Sequence, residues 1–465
     1  MSKQMNISTQ VKHLYARAGF GLRFEDLRDP ANTSIKSAVK KLFENSANFE
    51  PISAVDENLD LRRKPAMQSN DEKRALQEER NRQERLLNQG WLQYLNETSA
   101  QLREKMTLFW HNHFACNIGN PQYAQELNNI QRANALGNFK TLLLQVSQSP
   151  AMLQFLNNQQ NQKDHPNENF ARELMELFTL GRGNYTEQDI KESARAFTGW
   201  AFNGNTGTFR FNPRTHDDGP KTFFGQTGNF NGDDILNILT ANKQTAVFIC
   251  NKLYRYFVND VPDANHVKQM ADVFYKANYE IKPLLEFMFL ADWFYADKNM
   301  GNLVKSPVEL LVGLNRQFYV AYDNPAVLMQ FQRTLGQVLF KPPNVAGWPG
   351  GRNWIDSSTL MYRMKIPSTI LNAGVIDFTG KATPEDEAYI ASQRKQQLNI
   401  IKRVQTQPDW TRFLKNIPAN TLPAQVAAFM LEPKLSKGII DDINKSADIK
   451  SAVMQIVSTP EYQLC

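Results

Sequence analysis

Apolar residues recur along most of the chain at the three- and four-residue spacing of helices, in segments of roughly ten to twenty residues. Asn-, Pro- and Gly-bearing turns separate them, and strand-like alternation is scarce. Helix starts are written locally. Ser306-Pro307-Val308-Glu309 supplies an N-cap, a proline at the first helical position and a carboxylate at the third; Thr383-Pro384-Glu385-Asp386 repeats the design and Thr186-Glu187-Gln188-Asp189 is a third case. The pattern predicts a mainly α fold, a multi-helix globular array.

Two segments depart from helicity. Thr208–Phe211 and Lys221–Phe224 are β-prone runs around Asn212-Pro213 and Asp218-Gly219-Pro220, so a small β-hairpin insertion is expected over about 206–225. Lys341–Asp356 carries three prolines and three glycines with Trp348, Trp354 and Ile355, which predicts an ordered loop anchored by its aromatic residues. Asp71–Gln89 is dense in Glu, Arg, Gln and Lys and reads as a largely exposed helix after a loop over Ala47–Asn70. Beyond about Lys365 the chain turns polar and helical again. We therefore expect a helical core domain over 1–365 and a C-terminal helical subdomain over 366–465.

Composition narrows the class. With 465 residues, 42% hydrophobic and 22% charged, the chain buries a real core and resembles neither a disordered segment nor a fibre. The net charge of +6 arises from 53 basic and 47 acidic residues without a like-charge block, so nucleic acid is not an expected partner. Cys116, Cys250 and Cys465 have no C-x-x-C spacing and suggest neither a disulfide framework nor a thiolate zinc site. No apolar run follows the first charges and none reaches about 18 residues, so a cytoplasmic protein without a transmembrane segment is the expectation, unless a leader preceded Met1.

Candidate chemistry gathers on a few polar segments. On a helical wheel Glu168, Asn169, Arg172, Glu173 and Glu176 share one arc, opposite Phe170, Ala171, Leu174, Leu177 and Phe178. That face is either a solvated, ion-paired surface or the wall of a cleft in which neighbouring carboxylates shift each other's pKa for acid–base work. The next helix, about Glu187–Ala201, is built alike, with Glu187, Lys191, Glu192 and Arg195 opposite Ile190, Phe197 and Trp200.

Trp110-His111-Asn112-His113-Phe114 brings two imidazoles together, but residues two apart on a helix point about 200° apart, so one ion takes both only where the helix ends or distorts. There is no Glu-x-x-His pair for a di-iron bundle; a single divalent ion on Glu173 or Glu176 with His111 or His113 stays open. His216, Asp217 and Lys221 add an imidazole, a carboxylate and an ammonium in the expected hairpin turn. The Gly-x-Ser-x-Gly, Walker A and His-Glu-x-x-His signatures are absent.

Together His13–Gly21, Lys105–Phe114, Asn167–Gly181, Tyr185 with Ala196–Trp200, His216-Asp217 with Lys221 and Gly225, Lys305–Leu310 and Pro342–Gly350 resemble the bacterial family catalogued as domain of unknown function 1800. The motifs are long, ordered and specific, and run from about residue 11 to 365. The resemblance carries no activity. It implies frequent export, from which this chain departs by showing no signal, and a sulfatase-like partner of the family domain of unknown function 1501.

Two functions are thus expected in competition. One is an enzyme of metal-assisted hydrolysis or redox chemistry, with Glu173 and Glu176 as acid–base groups or ligands, His111 and His113 as ligands or proton carriers, and Arg172 and Lys221 holding an anionic group. The other is a non-catalytic binding or assembly protein that uses its helices and the Trp348/Trp354 loop, with ion pairs fixing the helices.

Overall fold

A computed structural model describes residues 8–59, 61, 69–372 and 405–465. Its chain is mainly helical, with three two-stranded sheets among the described residues. The first helices are α1 (Thr9–Ala18), α2 (Ile35–Asn45), α3 (Asn70–Glu97), α4 (Gln101–His113), α5 (Pro121–Ala133), α6 (Phe139–Gln148) and α7 (Pro150–Phe155). The long helix follows the sequence expectation, Ser69 capping α3 through a reciprocal bond pair with Glu72, and residues 47–59 before it contain no helix or strand.

The acidic segment forms α8 (Asn169–Glu173), which widens into a π turn over Leu174–Thr179. There the Leu180 N–H reaches back five residues to the Met175 carbonyl, a register common at functional or strained positions. Helix α9 (Glu187–Ala196) starts at Thr186 with the expected capping box, and ends earlier than expected because Gly199 turns with positive φ into a strand.

The expected single hairpin is two. β1 (Trp200–Phe202) pairs with β2 (Phe209–Phe211), and β3 (Lys221–Phe223) pairs with β4 (Gln226–Gly228). The two β-prone runs therefore do not pair with each other. The second turn is Phe224-Gly225, both at positive φ, the geometry that matches strand twist in a two-residue hairpin.

Helices α10 (Gly232–Ala241), α11 (Lys243–Phe257), α12 (Ala264–Lys276) and α13 (Ile281–Leu290) pack in succession. Then come α14 (Pro307–Phe318), α15 (Ala326–Leu335) and α16 (Ser357–Leu371), with α14 capped by Ser306 and Glu309 as its sequence dictates. Thr383-Pro384-Glu385-Asp386 lies outside the described residues.

The described C-terminal part is helical, with helices Trp410–Asn416, Pro423–Met430, Lys437–Asn444 and Ile449–Val457. It closes on the preceding helices: Val426, Val453 and Ile456 belong to the same hydrophobic cluster as Val11 and Leu142. Ala321-Tyr322 pairs with Thr406-Gln407, and Leu303 exchanges backbone hydrogen bonds with Cys465. The three cysteines are free and buried. Among the described residues no helix is long and apolar enough to cross a membrane.

Candidate functional site

The acidic face of α8 is ion-paired at the surface. The two terminal nitrogens of Arg172 each donate to a Glu187 oxygen at 2.9 Å, and one also reaches Glu168 at 3.2 Å. Glu176 accepts from Arg182 and, at 2.9 Å, from the Tyr185 hydroxyl. Burial works against its charge, but those two donors outweigh it and hold the carboxyl below the usual range. Among the described residues Glu173 has no such donor. Partial burial and the neighbouring Glu176 push its carboxyl up. The pair is split in the sense that separates acid from base in hydrolytic sites. Even so, neither imidazole of the His-Asn-His stretch is among its partners.

The His216 turn is tied to its own scaffold. His216 is buried, and its Nδ1 lies 2.8 Å from the Thr198 carbonyl, to which it donates. The Asp217 N–H donates to Thr198 Oγ1 at 2.8 Å, while Asp217 receives Arg195 Nε at 2.7 Å, the contact that lowers its pKa most. Lys221 is buried and donates to the carbonyls of Asp217 and Gly219. From α9, Glu192 accepts the Thr222 N–H and Asp189 the Phe224 N–H, so the helix's carboxylates fasten β3. His216, Asp217 and Lys221, expected as candidate site groups, have these partners within the chain and brace the two hairpins.

The His-Asn-His triplet ends α4 and points three ways. His111 Nε2 accepts the N–H of Phe340, a residue held at φ 66°, at 3.0 Å. Its ring is buried among Trp91, Phe340 and Trp348, and burial drives its pKa to about 3, so it is neutral. Asn112 pairs with the backbone of Trp348, accepting its N–H at 2.7 Å. His113 Nε2 donates to the Phe178 carbonyl at 3.2 Å, and its Nδ1 accepts from Lys252 Nζ at 3.1 Å.

The lone pairs a metal would need are thus engaged on both rings, with different partners. The expected shared ion lacks its ligand set here; among the described residues no three His, Cys, Asp or Glu side chains group as one.

The same contacts explain the π turn and the loop. The π turn offers the carbonyls of Leu177 and Phe178 to Lys252 and His113, which secure the end of the acidic helix. Gly347, at φ 82°, lies so close to Asn112 that a Cβ would sit 2.2 Å from Oδ1 and 2.5 Å from the carbonyl oxygen. Only glycine fits that approach. Trp348 and Trp354 are 5% and 7% exposed, so they anchor Lys341–Asp356 within the chain rather than offering large faces to a partner.

Between α4, α11 and this loop lies an open cleft of about 840 Å³. Asn112, His113, Lys252, Tyr256, Trp348 and Asp260 form its walls, with Arg255, Lys298 and Arg352 among its charged residues. Lys252 from α11 is mostly buried there, and desolvation lowers its pKa to about 8. Arg255 and Arg352 are exposed, and neither pairs with a carboxylate among the described residues.

Lys252 and Arg255 escaped sequence reasoning because α11 reads as a core helix. The available signal was a lysine flanked by the apolar Ile249 and Leu253, an expensive place for a charge unless it is used.

No curated protein and no solved structure matches the chain. A family model described as a protein of unknown function, DUF1800, matches residues 13–464, which includes the C-terminal stretch that carried none of the motifs. The chain belongs to the DUF1800 family.

Proposed function

We propose that the protein binds an anionic ligand in the cleft between the His-Asn-His helix end and the Trp348 loop. The observation that carries this reading is a local excess of cations: Lys252, Arg255 and Arg352, none of them paired with a carboxylate among the described residues, line the cleft with Lys298, which pairs with Asp263 at 3.8 Å, and the lining holds one carboxylate, Asp260. Cations gathered in a cleft with low-dielectric walls focus the field and attract negative groups. The volume falls within the roughly 300–1,000 Å³ of small-molecule sites. A carboxylate, sulfate or phosphate carried on a small molecule fits best, the anion toward the guanidiniums.

This favours the non-catalytic, ligand-binding role. A second reading has its own support: an amine titrating near 8, in contact with a neutral imidazole, is poised for acid–base work in the same cleft. It uses Lys252 and His113 in place of Glu173 and Glu176. Work beside a sulfatase-like partner, outside the cytoplasm, belongs to the proposal on the strength of the family alone.

The test is a melting-temperature titration with glucuronate, glucose 6-phosphate and, as the neutral control, glucose. We expect a saturable rise with an acidic probe and none with glucose, and loss of the response in an Arg255→Ala/Arg352→Ala double variant. Equal effects of acidic and neutral probes, or an unaltered response in the double variant, would remove the reading.

A further inference from the structure

Deeper in the molecule, His13–Gly21, Lys105–Phe114 and Lys305–Leu310 converge on two small adjoining cavities of about 60 and 80 Å³. The cavities share Lys105, Glu309 and Cys465 as lining. Arg17, on α1, lines one of them and is 1% exposed. Its Nη2 donates to the Asn299 carbonyl at 2.7 Å and to Asn302 Oδ1 at 2.6 Å. Its Nε and Nη1 are buried without a hydrogen-bond partner.

Lys105 pairs with Glu309 and donates to the Gly19 carbonyl at 3.2 Å, while Lys305 donates to the Tyr462 carbonyl at 2.8 Å. Lys12, paired with Glu432 at 3.9 Å, and Arg316, which donates to the carbonyls of Leu95, Asn96 and Thr98, line the first cavity as well, and its carboxylates are Glu309 and Glu432. The rest of the charged lining is Arg23, Arg255 and Asp260. Burial pushes the Cys465 thiol up, so the thiol brings no negative charge to the cavities at neutral pH.

Water would satisfy the free N–H groups of Arg17, since each cavity exceeds the roughly 10–15 Å³ that one molecule needs. It would leave Arg17 and Lys305, which have no carboxylate partner among the described residues, uncompensated in a buried, weakly screened place. An anion meets both demands.

We propose that these two adjoining cavities form one inner chamber for a small tetrahedral oxyanion, sulfate or phosphate, held by Lys105, which lines both, by Arg17 from one and by Lys305 from the other. The site adjoins the outer cleft, with which one of its cavities shares Arg255, Tyr256 and Asp260, but none of those three cations lines that cleft. Bound there, the anion bridges α1, α4 and the start of α14, so its effect is on the stability of the whole chain.

Two measurements on the full chain decide it. Crystals soaked in selenate, a tetrahedral oxyanion with an anomalous signal, should show a peak between Arg17, Lys105 and Lys305. Sulfate at constant ionic strength should raise the melting temperature saturably, with a midpoint at least tenfold higher in Lys305→Met, and with Arg17→Met as a second variant should the first fail to fold. Water alone in the chamber of selenate-soaked crystals would overturn the proposal. So would a sulfate response that is equal in the parent and in a folded variant, or one abolished only by Arg352→Ala, a residue that lines the outer cleft and neither inner cavity, which would assign the anion to the outer cleft instead.

Discussion

Lys252 Nζ lies 3.1 Å from His113 Nδ1 and 3.0 Å from the Leu177 carbonyl, so one ammonium joins the His-Asn-His helix end to the π turn of the acidic helix. Its third N–H is left for the cleft.

Replacing Lys252 by Met leaves two buried acceptors without a donor and is expected to lower stability at neutral pH by about 1–3 kcal/mol in chemical denaturation. The pH dependence has a definite sign. The pKa is depressed from 10.5 to about 8 in the folded chain, so between these values the unfolded state binds more protons and stability rises with pH. Below about 8 both states are protonated and the term is constant. Parent minus Lys252→Met stability should therefore climb from about pH 8 to about pH 10.5; a flat difference contradicts the desolvated ammonium.

His111→Phe keeps a ring between Trp91 and Trp348 but removes the acceptor of the Phe340 N–H, in a residue already at positive φ. A loss of about 1–3 kcal/mol is expected from the buried unpaired donor. Because His111 serves this bond, adding EDTA to the parent should leave its melting temperature where it was. A fall of several degrees in chelator would restore the metal reading of the triplet.

The largest single loss should come from a pair remote from the cleft. Glu104 and Arg132 are fully buried, joined at 2.7 Å, and Glu104 also accepts the Trp91 indole N–H at 2.7 Å. Glu104→Ala strands a guanidinium in the core and should cost about 3–5 kcal/mol, read from urea unfolding.

On the acidic helix, by contrast, Arg172→Ala breaks half-exposed pairs with Glu168 and Glu187 and should change stability by no more than about 1 kcal/mol. If Arg172 instead proves as costly as Glu104, this face packs against something beyond the chain.

These contrasts mark what could be read in advance. The caps at Thr186 and Ser306 were legible because a capping box is decided within four residues. The amphipathy of Asn167–Gly181 was legible too, with Phe170, Leu174 and Phe178 buried as the wheel placed them. Its π turn was not, because the carbonyls it frees are claimed by His113 and Lys252, which are distant in sequence. The partners of the triplet were illegible for the same reason. Two close histidines suggest a metal only while their partners are unknown, and Phe340 lies 229 residues from His111. The hairpins failed on pairing: β-prone runs reveal strands, whereas Gly199 and the Phe224-Gly225 turn decide who pairs with whom.

The central claim, an anion held in the Lys252 cleft, is tested most directly by calorimetric titration of glucuronate and of glucose 6-phosphate at pH 7 and pH 9.5. Loss of one charge-assisted contact is worth about 1.4 kcal/mol, or tenfold in affinity. We expect binding of at least one probe at pH 7, at least tenfold weaker in Arg255→Ala/Arg352→Ala. It should weaken at pH 9.5 in the parent, as Lys252 loses its charge while the arginines keep theirs. Absence of millimolar binding by either probe, or an affinity indifferent to both the arginines and the pH, would contradict the account.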